Sequence, residues 1–354
     1  MIRKRVFIHI GQTKTGTTSI QNFLHCNQKQ LECSGIHYCD RPFRSTSHRY
    51  LFHLMNASVA QPNQAKPRQR HLDRLQEIFG DDCVQNISWY WNYFKQRAFK
   101  SSCHTSIISE ELLWELGNFN HTSRMQILLL FSKILHEFID PNDITIVIAL
   151  RHHAEWLESW HNQMVKDQAN QFKVARFFKG ELSRGAFAYR KKINHWKEAF
   201  PLASIKVVDF NTQLVSPQPI GLRFLEAAGL TDHLSKQSLL RMIYPERVQK
   251  SIHPMLHAFL IRKKPLIRNR NVYKKLIQEA DKMMRAKLFE LGTKDSFTIL
   301  NPSIINECNI LHNSDNLSSF GIHQLAHHFD LKRRVPRVLE PEITTYLENK
   351  FNRY

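Results

Sequence analysis

Short apolar runs separated by amphipathic stretches recur along the first two thirds of the chain. Val6–Ile10, Ile36–Tyr38, Thr105–Ser109, Ile144–Leu150 and Ile205–Phe210 are brief and largely aliphatic or aromatic. Such runs are expected of strands buried on both faces in a parallel sheet. Between them, positions with helical spacing predict helices over Thr17 to about Glu32, ended by Ser34-Gly35, and over Ser123–Phe138. Further helices are predicted from near Ala154, over Ala186–Phe200, and over Ile220–Ala228 with Gly229 as its stop. Helical material is also predicted from about Leu72 to Lys100, carrying Trp89, Tyr90, Trp91, Tyr93 and Phe94. At that spacing these rings read as core rather than as a sugar-stacking surface. Residues 41–70, with Pro42, Pro62 and Pro67 among polar side chains, read as a long, partly mobile loop. The alternation predicts an α/β chain with a mostly parallel central sheet. Residues 1–230 would form its core, and 231–354 a helical extension packed on it within one domain.

Composition narrows the partners. The 354 residues carry a formal charge of +19 and a pI near 9.8, so the surface is basic. No RNA-type aromatic signature, zinc-finger spacing or helix-turn-helix pattern accompanies that charge, which argues against nucleic acid. A polyanionic small ligand accounts for the sign equally well. The six cysteines, Cys26, Cys33, Cys39, Cys83, Cys103 and Cys308, form no CxxC pair. Reduced thiols are therefore expected, with a chance disulfide open among the three between 26 and 39. The first apolar run is too short for a signal peptide or a membrane span, so no integral membrane segment is expected.

The chain's chemistry is concentrated in Gly11-Gln12-Thr13-Lys14-Thr15-Gly16-Thr17-Thr18. A strand leads into a glycine-bounded loop and then a helix, the layout in which backbone N–H groups and the helix dipole cradle a phosphate. Gly11 and Gly16 stand at the separation found in nucleotide-hydrolysing P-loops, but Thr17 occupies the slot where those loops carry lysine, and Lys14 precedes the second glycine. A second candidate anion site lies at the end of the run Ile144–Leu150. Arg151 offers a planar, permanently charged fork at a strand's C-terminal end, and Ser159, eight residues on, adds a hydroxyl two helical turns away. The nearest acid, Asp143, sits at the opposite end of that strand, so a site working without metal is expected.

Lys-Thr-Gly-Thr-Thr after a strand ending in Ile-Gly resembles the 5′-phosphosulfate loop of sulfotransferases that use 3′-phosphoadenosine 5′-phosphosulfate. Arg151 and Ser159 match that family's 3′-phosphate motif. Tyr189 to Trp196, Val207-Val208-Asp209-Phe210 and Phe224 to Leu230 match later, weaker landmarks. The resemblance covers roughly two thirds of the chain. It implies a P-loop-like three-layer fold, the phosphosulfate nucleotide as donor, no metal, and a hydroxyl- or amine-bearing acceptor, carbohydrates among the candidates. Gly11 through Thr18, with Arg151 and Ser159, would hold the donor. Animal glycan enzymes of this kind usually carry a membrane anchor, so its absence points to a cytoplasmic, bacterial-type protein or to a trimmed chain.

Sulfuryl transfer also needs positive charge at the bridging oxygen and a base for the acceptor's proton. Lys14 is the candidate for the first. For the second, Glu110 stands just past a strand end, where the resemblance also places a carboxylate or histidine base. The same carboxylate is equally suited to capping the next helix. His48, His152 and His153 are the competing bases. The basic stretches Arg262-Lys263-Lys264 and Lys332-Arg333-Arg334 lie in the C-terminal third, which is expected to shape the acceptor side. Two other classes fit parts of the pattern: a nucleotide kinase or NTPase with a degenerate loop, and a non-catalytic polyanion-binding protein.

Overall fold

The computed structural model describes residues 3–42, 45–59, 65–80, 86–116, 121–167, 173–210, 218–245, 254–263, 270–290, 300, 302–315 and 345. They group into two compact units, one of residues 3–151 with 188–245, the other of 152–187 with 254–315.

The first unit is built on five strands: β1 (Arg5–Gly11), β2 (Ile36–Tyr38), β3 (Thr105–Ser109), β4 (Ile144–Leu150) and β5 (Ser204–Asp209). All neighbours are parallel and the order is β2-β3-β1-β4-β5. Side chains alternate between two cores, as the twofold period of a strand requires. Val6, Ile8 and Ile10, with Ile108, Ile146 and Ile148, pack against Leu51, Leu54, Phe94, Phe131, Ile193 and Trp196. Phe7, Ile107, Val147 and Val208 face the other way, onto Ile20, Phe23, Leu24, Phe224 and Leu225. The protein is therefore α/β, with helices covering both faces of a parallel sheet. Burial on both faces is why β4 and the centre of β1 read as nearly continuous apolar runs.

Two expectations need correction. The helix from Thr17 to Glu32 is two helices, Thr17–Cys26 and Gln28–Cys33. They meet at Asn27, whose Nδ2 donates to the carbonyls of Phe23 (2.8 Å) and Ile243 (2.7 Å) while its Oδ1 accepts from Ile243 N–H (2.7 Å). A side chain competing for backbone groups ends a helix in this way. The segment 41–70 is not a long loop: it holds the helix Arg49–Val59 and the start of Ala65–Phe79. Tyr50, Leu51, Leu54 and Met55 share one buried helical face. Pro67 falls in the first turn of its helix, where a missing N–H costs nothing, and Pro62 lies outside the described residues. The helical material expected from about Leu72 to Lys100 is present as the end of Ala65–Phe79, followed by Gly80 at φ 97°, and the helix Ile87–Arg97, which Asn86 starts by accepting from Trp89 N–H (2.9 Å). Tyr90, Trp91 and Phe94 are buried, so the aromatic cluster belongs to the core.

The second unit is helical: His153–Lys166, Val174–Ser183, Pro254–Lys263, Arg270–Glu290 and Pro302–Ser314. One core joins Val165 to Leu256, Phe259, Leu260, Tyr273 and Ile277, and another joins Trp156 and Leu157 to Phe177, Phe187, Leu300 and Ile304. No described helix is long and apolar enough to cross a membrane. Lys264 and Lys332-Arg333-Arg334 lie outside the described residues, as does Cys83. The other five cysteines are unpaired thiols.

Candidate anion-binding site

Strand order places the candidate residues. β1 and β4 are neighbours, yet the chain leaves β1 toward β2 at one edge of the sheet and leaves β4 toward β5 at the other. The crevice above their C-terminal ends is therefore a topological switch point, where open α/β sheets bind ligands. The glycine-bounded loop follows β1, and Arg151 follows β4.

The two strand ends are tied together: Gly11 lies opposite Ala149, and Gln12 N–H donates to Ala149 O (3.1 Å). Gly11 is needed there because a Cβ would meet Thr17 Cγ2 at 2.8 Å and Thr15 Oγ1 at 3.2 Å. The loop then closes on itself as Thr15 donates to Gln12 O through both N–H (3.2 Å) and hydroxyl (2.5 Å). Lys14 takes φ 71°, the one positive φ outside glycine among the described residues. Such a conformation costs a lysine on the order of 1 kcal/mol or more and is found where local structure forces it. Gly16, at φ 78°, precedes the helix, and a Cβ on it would strike Ile220 Cδ1 at 2.3 Å and Phe210 Cε2 at 2.5 Å. With glycine in the N-cap slot no side chain caps the helix; Gly16 O accepts from the N–H groups of Ser19 (2.9 Å) and Ile20 (3.0 Å), and the turn before them lies at the positive dipole end.

Arg151 reaches back to this loop. Its Nη1 donates to Lys14 O (3.3 Å), and its guanidinium lies 5.3 Å from the Phe210 ring centroid. Tyr189, fully buried, joins the same group through its hydroxyl, which lies 2.6 Å from Gln12 Oε1 and 2.9 Å from Arg151 O. Gln12 is itself buried, and its Nε2 has no hydrogen-bond partner among the described residues.

Carboxylates approach from β3, the other neighbour of β1. Thr17 Oγ1 donates to Glu111 Oε2, and Glu111 Oε1 lies 4.0 Å from Arg49 Nη2. Glu110 is sealed from solvent: its N–H donates to His9 O (3.0 Å) and its Oε1 accepts from Leu112 N–H (3.0 Å), a helix-start contact. Its Oε2 has no hydrogen-bond partner among the described residues. Burial pushes the Glu110 carboxyl up to about 7, helped by the charge of Glu111 and opposed by the Leu112 N–H and Arg49.

The expected residues thus divide. Gln12, Lys14, Thr15 and Arg151 are joined by hydrogen bonds, directly or through β4, at the C-terminal end of the sheet, with Gly11, Gly16 and Thr17 on the same turn and Thr13 and Thr18 half-buried there. Ser159 is buried on the helix His153–Lys166 of the second unit. The candidate histidines have structural roles. His48 Nδ1 accepts from Ser109 N–H (3.0 Å), which leaves its Nε2–H to donate to Cys39 O (3.1 Å), and burial lowers it to about 3. His152 accepts from Ala154 N–H (3.3 Å) as a helix cap. His153 contacts Phe187 O (2.8 Å) and His312 Nδ1 (2.7 Å). Asp143 forms a two-oxygen ion pair with Arg3 Nε (2.7 and 2.8 Å) just before β4 begins. Glu111, Phe210 and the hydroxyl of Tyr189 are additions that spacing alone could not supply, because their partners are remote in sequence.

The first unit also has a cavity of about 600 Å³, lined by Glu32, His37, Asp40, Arg97 and Lys100 among others. None of the expected site residues lines it.

Fold and site define an α/β protein with a glycine-bounded, lysine-bearing loop and an arginine at a sheet switch point. No family model matches the chain. An uncharacterized protein of Archaeoglobus fulgidus is 33% identical over 98 residues, and the match spans 27% of this chain and only 24% of that protein. Among solved structures, the crystal structure of a sulfotransferase from Alicyclobacillus acidocaldarius covers 75% of this chain and 93% of its own, at 12% identity and a TM-score of 0.40.

Proposed function

We propose that the protein is a sulfotransferase that moves a sulfuryl group from 3′-phosphoadenosine 5′-phosphosulfate to a hydroxyl or amine of an acceptor. The observation that carries this reading is the convergence of the Lys14 loop and the Arg151 fork at one switch point, with Arg151 Nη1 3.3 Å from Lys14 O. Two adjacent anion-binding groups suit a nucleotide bearing phosphate at both its 5′ and 3′ positions. The loop amides, the Thr17 N–H and the Thr18 hydroxyl take the 5′-phosphate, the Thr17 hydroxyl proton being engaged by Glu111, and Arg151 takes the 3′-phosphate.

In the transfer, an acceptor oxygen or nitrogen attacks sulfur as the bond from sulfur to the bridging phosphate oxygen breaks. Adenosine 3′,5′-bisphosphate leaves and carries the new negative charge. The Lys14 ammonium neutralises that charge as it forms, a contribution that in comparable sites is worth on the order of 3 kcal/mol. The acceptor's proton goes to a carboxylate. Glu110, whose carboxyl burial raises to about 7, is the candidate, and it serves only where acceptor binding opens a path to its sealed Oε2. Glu111 holds Thr17 in place.

The test is transfer of labelled sulfur from the donor to a panel of hydroxyl and amine acceptors, carbohydrates included. The wild-type chain is expected to label at least one, and Lys14→Ala to lose about a hundredfold in kcat with its melting temperature unchanged. Equal transfer by Lys14→Ala would overturn the role of Lys14. Nucleotide binding that requires Mg²⁺ would favour a kinase or NTPase instead. Binding to heparin-like polymers without preference for the 3′-phosphate would favour a polyanion-binding protein.

A further inference from the structure

Tyr189 adds a buried side-chain link between the two halves of the candidate site, beside the bonds from Gln12 N–H to Ala149 O and from Arg151 Nη1 to Lys14 O. It begins the helix Tyr189–Ala199, far in sequence from both partners, and its ring is fully buried with an edge-on contact to Trp114 at 5.9 Å between centroids. Its hydroxyl lies 2.6 Å from Gln12 Oε1 on the loop and 2.9 Å from Arg151 O at the end of β4. A phenol has one proton, so it cannot donate fully to two carbonyl oxygens at once. It either divides its proton between them, or the Gln12 carboxamide turns end for end. In the second arrangement Gln12 N–H donates to the phenol oxygen and the phenol donates to Arg151 O. The phenol is the link in both arrangements. Side chains and backbone further support each end: Arg151 sits over Phe210, and Phe210 also fills the space a Cβ on Gly16 would need.

We infer that Tyr189 is a positioning residue for donor binding: its hydroxyl sets the loop at Gln12 and the chain at Arg151 to the spacing of one doubly phosphorylated nucleotide. The inference rests on the proposed donor. Tyr189 touches neither phosphate; it acts through Gln12 and through the backbone that carries the Arg151 fork. A site split between two strand ends depends on such a link, because small misplacements of an anion clamp are costly.

The test is Tyr189→Phe, which keeps the ring and its core contacts and removes only the oxygen. Dissociation constants for adenosine 3′,5′-bisphosphate are measured by calorimetry for wild type, Tyr189→Phe, Gln12→Ala and the double variant, with the ligand-free melting temperature of each. Tyr189→Phe is expected to weaken binding about tenfold with a melting temperature close to wild type. In the Gln12→Ala background the same change should cost clearly less, because part of the link is already gone. An unaltered dissociation constant for Tyr189→Phe, or fully additive effects, would overturn the positioning role while leaving the donor reading intact. A ligand-free melting temperature lowered by about 10 °C would assign the hydroxyl to the fold and overturn it too. A wild-type chain that does not bind the bisphosphate would overturn the donor reading itself, and this role with it.

Discussion

Glu110 and Glu111 are sequence neighbours in opposite surroundings. Glu111 is partly exposed, engaged with Thr17 and near Arg49; Glu110 is sealed. The Glu110 carboxyl is raised from 4.5 to about 7 by burial, so folding favours its protonated form. That contribution is complete below the unfolded value of 4.5 and is lost as pH rises through 7. Glu110→Gln, which keeps an acceptor for Leu112 N–H, should melt like wild type near pH 4. Above pH 7 it should be the more stable of the two, by at most on the order of 3 kcal/mol. A melting-temperature difference that does not change between those limits would contradict the assigned burial effect. The same variant should lack transfer activity at every pH if Glu110 is the base. At this scale the loop was readable because its torsions and close contacts demand glycine at 11 and 16. Its partners were not, since the contacts of Thr17 with Glu111 and of Tyr189 with Gln12 join residues brought together only by the sheet.

Packing of the helix Thr17–Cys26, which starts the candidate cradle, sets a constraint between elements. It lies against Ile220–Ala228, and the contact passes through Gly221: a Cβ there would come 2.1 Å from Phe23 Cγ and 2.3 Å from Phe23 Cδ1. Alanine gains up to about 1 kcal/mol of helix propensity over glycine, but overpacking a buried contact costs about 1–3 kcal/mol. Phe23 is itself buried in the core, so the steric cost should win. Gly221→Ala is expected to lower stability in denaturant unfolding by about 1–2 kcal/mol, and an unchanged or raised midpoint would show that the helices can separate freely. Strands and most helices could be read from their periods because both sheet faces are covered. Arg49–Val59 escaped because flanking prolines and polar residues masked a short apolar face, and the break at Asn27 depends on the distant backbone of Ile243.

For the whole molecule, the parallel sheet was visible in the alternation of elements, but its order was not. Nothing local states that β1 lies between β3 and β4, and that placement is what brings Lys14 and Arg151 to one crevice. Nor does the chain's order announce that residues 152–187 group with 254–315. The net charge of +19 bears on all three candidate functions, because it favours any anionic partner and selects none. Selection must come from geometry: a general polyanion surface has no use for phosphate at two particular positions of one nucleoside.

The most direct measurement is therefore the thermal stabilisation of the wild-type chain by adenosine 3′,5′-bisphosphate and by adenosine 5′-phosphate at equal concentration, with and without Mg²⁺, beside Arg151→Ala. A ligand that binds only the folded state stabilises it by RT ln(1 + L/Kd) at free ligand concentration L, so at equal concentration the tighter ligand raises the melting temperature further. The bisphosphate should stabilise wild type strongly and without Mg²⁺, the monophosphate weakly, and Arg151→Ala should erase the difference. Equal stabilisation by both nucleotides in wild type, or a difference that survives in Arg151→Ala, would contradict a single site gripping both phosphates.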